Sequence, residues 1–151
     1  MRKDVLLKLI KKALIYRLMA NLDRFINEAE LTHREISSST AKSQSWFNDA
    51  FNNNEDIYIS TLTKVLSVIH EKHDLTQYRL IDIFDQKILK IALTLCRISD
   101  EDDDEHIRNY ICSEKSFFLD LFGDWASINY KNKLNEEEKE VMLQVKDLIS
   151  N

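Results

Sequence analysis

Three short runs decide the fold: Leu31-Thr32-His33-Arg34-Glu35-Ile36-Ser37, then Ser43-Gln44-Ser45-Trp46-Phe47-Asn48-Asp49-Ala50-Phe51-Asn52, then Ile59-Ser60-Thr61-Leu62-Thr63-Lys64-Val65-Leu66. Thr32 is a good helix cap, and Glu35 stands three residues later as a capping box requires. A first helix over 32–39 would put Leu31 and Ile36 on its apolar side and leave Ser37, a small residue, where a neighbour must come close. A Thr40-Ala41-Lys42 connection follows, and the spacing predicts a second helix over 43–53, capped by Ser43. Phe47 and Ala50 or Phe51 then point inward, while Gln44, Ser45, Asn48 and Asn52 point out. Beyond the asparagine-rich loop at 52–56, Ser60 is the expected cap of a helix whose inner face is Leu62, Val65, Leu66 and Ile69.

A short helix, a sharp turn and a second helix braced from behind are the physical demands of a helix-turn-helix unit. The outward residues of the second helix suit its chemistry. Gln and Asn bond in a bidentate manner to adenine in the major groove, and Ser serves as a less discriminating donor or acceptor.

These forty or so residues resemble the Cro/CI-type (lambda-repressor-like) helix-turn-helix DNA-binding proteins. The resemblance implies sequence-specific binding of double-stranded DNA, usually by a homodimer on a two-fold-related site. It implies base reading by Gln44, Ser45, Asn48 and Asn52, and contact with the DNA backbone by His33, Arg34, Lys42 and Ser43. In the family, the position of His33 often braces that of Gln44. Two features depart from the pattern: the turn carries Ala41 and Lys42 where Gly and an aliphatic residue are usual, and the following loop is the acidic Asn53-Asn54-Glu55-Asp56.

Working outward, Lys3 to Ala29 repeats apolar residues at three and four and reads as one long amphipathic helix, with Lys8, Lys11, Lys12 and Arg17 on its other face. Beyond His73 the periodicity gives longer helices over about 75–98, 100–112, 114–130 and 135–150. Leu75-Thr76-Gln77-Tyr78-Arg79-Leu80 has the look of a second helix-turn-helix start, but no turn and recognition helix follow it. Phe117, Phe118, Leu121, Phe122, Trp125 and Ile128 make an aromatic stripe, and Val141, Met142, Val145, Leu148 and Ile149 another, both read chiefly as core. Gly123 marks a break or a point of close approach in this helix.

Composition agrees with an all-α fold. The chain of 151 residues has one Gly and no Pro, 44% hydrophobic and 31% charged residues, the balance of a soluble globular protein. Two units are expected: a head over 1–73, with its basic first helix, and a helical dimerisation or partner-binding region over 74–151. No apolar run approaches a membrane span, and Lys8, Lys11 and Lys12 interrupt what would be a signal peptide, so no membrane partner and a cytoplasmic location are expected. Cys96 and Cys112 read as reduced core thiols.

The net charge of −5 is unevenly spread. Residues 1–48 hold nine Lys/Arg against five Asp/Glu, a balance of +4, and residues 49–151 hold twelve against twenty-one, a balance of −9. A polyanion would meet the basic end.

The run Ser99-Asp100-Glu101-Asp102-Asp103-Asp104-Glu105-His106 has neither the glycine nor the spacing of a calcium loop, and reads as a helix cap at Ser99 followed by acids on the positive end of the dipole. His70 and His73 share a helical face without a matching third ligand, so they read as surface histidines and no metal or cofactor is expected. No nucleophile elbow, phosphate loop or dinucleotide fingerprint appears, so no enzyme is expected. The expected function is a DNA-binding repressor of a phage, plasmid or other mobile element. The alternative is an interaction protein, an antirepressor or anti-host factor, that turns the same scaffold toward a protein effector.

Overall fold

The computed structural model describes residues 1–75, 82–132 and 134–150, and among them it has eight helices and no strand. These are α1 (Lys3–Glu28), α2 (His33–Ser39), α3 (Trp46–Asn52), α4 (Ile59–Lys72), α5 (Gln86–Asp100), α6 (Asp104–Ser113), α7 (Lys115–Asn132) and α8 (Glu136–Ser150). The all-α expectation holds. No helix among the described residues is long and apolar enough to cross a membrane. Apart from Leu75, the stretch with the look of a second helix-turn-helix lies outside the described residues.

Packing divides the chain into two compact units, Ile15–Ile88 and Met1–Leu14 with Leu89–Asn151, rather than at the 73/74 boundary read from the sequence. The reason the head extends to Ile88 is visible in α1. Asn21, buried there, donates from Nδ2 to the Ile83 carbonyl at 2.9 Å, and Arg17 donates to Asp85 from Nε and Nη2 at 3.1 and 2.8 Å. Leu75 and Ile83 join the head's core beside Met19, Leu22, Phe25, Ile26, Ile36, Phe47, Ala50, Val65 and Ile69. Partial burial works against the charge of Asp85, but bonds from the Ile88 amide, Asn21 and Arg17 outweigh it and hold the carboxyl below its ordinary value.

In the other unit the aromatic stripe is core, as read. Phe118 and Trp125 are fully buried with ring centroids 6.4 Å apart, and Phe117 and Phe122 lean on them at 5.4 and 5.1 Å. Asn135 caps α8, accepting the Glu138 amide at 2.8 Å, and the buried Glu138 carboxylate takes Lys12 Nζ at 2.8 Å on each oxygen.

Five local expectations are corrected. The helix expected over about 75–98 is interrupted by a turn at Phe84, and α5 begins at Gln86, where the Asp85 carboxylate accepts the Ile88 amide at 2.9 Å. Ser99 is not a cap, because α5 continues through it to Asp100; Asp103 caps α6 instead, accepting the Glu105 amide at 3.0 Å. Ser60 lies inside α4, whose cap position is Tyr58. Cys96 is exposed and Cys112 half-buried, so Cys96 is not a core thiol. At Gly123 the helix neither breaks nor meets a close neighbour, since a Cβ built there would stand in open space.

Candidate helix-turn-helix site

The site is built on α2 and α3. Thr32 caps α2 by accepting the Glu35 amide at 3.1 Å, while its hydroxyl donates to the Glu35 carboxylate at 3.3 Å, a variant of the expected capping box. Ser37, fully buried, then joins the two helices. Its hydroxyl donates to the His33 carbonyl at 2.8 Å and accepts the Phe47 amide at 3.0 Å, so the small residue expected at the close approach also supplies a hydrogen bond across it.

The turn between them is a helix C-terminus of the Schellman kind. Lys42 N–H donates to the Ser37 carbonyl at 2.9 Å and Ala41 N–H to Ser38 at 3.2 Å, which requires a left-handed residue at position 41. Ala41 adopts it, at φ 59°, where glycine is the usual occupant. The same pair of bonds ends α1, through Glu30 at φ 58°, and α3, through Asn54 at φ 52°.

Behind α3, Phe47 and Ala50 are buried, and Phe47 stands 4.9 Å from the His33 ring, 5.9 Å from Trp46 and 6.5 Å from Phe51, measured between ring centroids. In front, Gln44, Ser45, Asn48, Asp49 and Asn52 are all exposed. At about 100° per residue, Asn48, Asn52, Ser45 and Asp49 occupy one continuous arc of α3, with Gln44 just ahead of it in the turn. The four residues expected from the sequence to read bases thus lie together, and Asp49 shares their exposed face, a place that follows from the same helical spacing.

The backbone-contacting set is more scattered. Ser43 is exposed but is not the cap of α3; the helix begins at Trp46, the cap position is Ser45, and the Ser43 carbonyl accepts the Trp46 amide at 3.0 Å. Lys42 Nζ lies over the Trp46 ring at 5.7 Å, at the edge of the exposed arc. Arg34 lines a shallow recess of about 390 Å³ between α2 and α4 with Ser38, Val68, Glu71 and Lys72. His33 turns toward α1, where its Nε2 meets the Asp23 carboxylate, and Asp23 and Phe47 rather than Gln44 are its described partners. Nothing local signalled Asp23, ten residues earlier on another helix.

The unit that carries this site holds eight Lys/Arg against eleven Asp/Glu over residues 15–88, a balance of −3. Close in sequence to the site, Tyr58 and Ile59 at the start of α4 are 80% and 79% exposed. No family model matches the chain, and neither the curated proteins nor the solved structures yield a match.

Proposed function

We propose that the unit Ile15–Ile88 binds double-stranded DNA through the exposed arc of α3, with Gln44, Ser45, Asn48 and Asn52 reading base edges and Lys42, Ser43, Arg34 and His33 contributing backbone contacts, and that the outcome is repression of the bound promoter. The observation that carries this reading is the arc itself: amide and hydroxyl side chains on the open side of a short helix, whose other side is fixed by Phe47 and Ala50 and whose start is tied to α2 through Ser37. A two-fold operator requires two heads, so a homodimer belongs to the same proposal.

Charge sets the character of the binding. Between Arg34 and Lys64 the only Lys or Arg is Lys42. With roughly two or three phosphates neutralised per head, and so about four to six per homodimer, log K should fall against log salt with a slope of about −4 to −5. Specific contacts must then supply most of the affinity.

The test is a gel shift on the DNA upstream of the protein's own gene, with promoter repression in a reporter strain. Gln44→Ala and Asn48→Ala, both at exposed positions, should each weaken binding about 10-fold or more and relieve repression. Unchanged binding in both variants would show that another surface is used.

The second reading, a protein-binding scaffold in an antirepressor or anti-host factor, is favoured by the −3 balance of this unit and by the bare Tyr58–Ile59 pair. An apolar protein contact would lack the salt dependence and would be lost in Tyr58→Ser with Ile59→Ser.

A further inference from the structure

Asp49 is the one charged side chain on the α3 arc, exposed between Ser45 and the half-buried Trp46. A carboxylate at that place is costly on a surface that meets a polyanion, because it repels phosphates and offers only acceptors. One partner in the major groove suits it: the exocyclic amino group of cytosine, N4, or of adenine, N6. Guanine presents N7 and O6 there, two acceptors facing an anion.

Resting on the DNA-binding reading, we infer that Asp49 is a base-discriminating residue of this face: it accepts from a cytosine or adenine amino group and excludes guanine from the strand it meets. Its discrimination is largely negative, since the wrong base is penalised by unpaired and mutually repelling acceptors more than the right base is rewarded. The neighbouring amides of Asn48 and Asn52 favour adenine on the same arc, and no Lys or Arg stands on the arc to read guanine. The contacted strand should accordingly be rich in adenine and cytosine and poor in guanine.

The experiment begins with in vitro selection of duplexes from a random pool by the full-length protein at low salt. The affinities of the wild type and of Asp49→Asn are then compared on the selected duplex and on versions with guanine placed at each position in turn. The expected result is a selected strand depleted of guanine and at least one position where guanine costs the wild type about 10-fold or more, a penalty that Asp49→Asn removes at that position alone. Asn is nearly isosteric with Asp and the site is exposed, so the fold should be kept; a circular dichroism melt checks this.

If Asp49→Asn instead raises affinity by the same factor on every duplex, Asp49 acts only through general repulsion and the inference is overturned. A selected strand with guanine at the Asp49-dependent position overturns it as well. Failure of the folded protein to retain any duplex overturns the DNA-binding reading itself, an outcome distinct from the other two.

Discussion

The unit Ile15–Ile88 and the unit formed by Met1–Leu14 with Leu89–Asn151 hold their helices by different means. In the first, three helices end in tight left-handed turns at Glu30, Ala41 and Asn54, and a buried serine hydroxyl bridges α2 and α3. In the second, no described non-glycine residue is left-handed, α6 and α8 start on the side-chain caps Asp103 and Asn135, and three cations of the chain's start are matched with acids: Arg2 with Glu137 at 2.6 Å, Lys3 with Asp102 at 3.5 Å and Lys12 with Glu138 at 2.8 Å. The difference teaches that charge counted along the sequence is not charge per folded unit. The +4 balance of residues 1–48 rests on residues 1–14, which hold five Lys/Arg against one Asp and pack in the second unit, leaving the candidate DNA-binding unit at −3.

The strongest way to break this comparison is Phe47→Ala. Phe47 is fully buried at the meeting of α2 and α3, and its loss should cost about 3–5 kcal/mol. Amide hydrogen exchange should lose protection over residues 15–88 and keep it in the other unit. Equal loss in both would mean that the two units unfold as one cooperative block.

A smaller effect separates the head by pH. Asp85 is held below its ordinary pKa, so its contribution is fully present at neutral pH and is lost as pH falls from about 4 through the folded value. Asp85→Asn should lower stability by about 1–2 kcal/mol at pH 7 and flatten the acid decline of the head. Denaturant midpoints measured between pH 7 and pH 2 give both numbers.

The finest contrast exchanges glycine for alanine in opposite senses. A left-handed Ala costs about 1–2 kcal/mol, and glycine's extra freedom in the unfolded chain returns about half of that, so Ala41→Gly should stabilise the first unit by about 0.5–1 kcal/mol. Gly123 is helical and exposed with open space at its Cβ, so Gly123→Ala should stabilise the second unit by a similar amount. Thermal unfolding of the two single variants should show two rises; a fall with Ala41→Gly would mean that the turn is not left-handed at that position.

Much of this was legible in the sequence. The period of apolar residues gave the all-α class, α1 and the helices α6 to α8, because that signal is local and strong, but it carried no mark of the turn at Phe84–Asp85 that interrupts the helix expected over about 75–98. Thr32, Ser37, Phe47 and Ala50 were placed correctly because caps and inward positions follow from spacing. Ser43, Ser60 and Ser99 failed as caps for a common reason: a serine can cap only where the backbone turns, and here the turns fall at Ser45, Tyr58 and Asp103. Partners distant in sequence left no local mark, as with Asp23 beside His33 and Asn21 beside Ile83, so neither the orientation of His33 nor the true end of the head was readable. The exposed arc of α3 follows from helical spacing alone, and the same spacing puts the charged Asp49 beside its neutral residues.

The Ser37–Phe47 hydrogen bond makes a gauge of one backbone proton. Phe47 is the second residue of α3, among the first four amides that a helix leaves without a partner of its own. Its proton is held by a hydroxyl belonging to α2, at 3.0 Å. Were α3 to separate from α2 while staying helical, its later amides would keep their acceptors and this one would be released to solvent. The ratio of its exchange rate to that of Asn53, bonded within α3 to the Asp49 carbonyl at 2.9 Å, therefore distinguishes undocking of the candidate recognition helix from its melting.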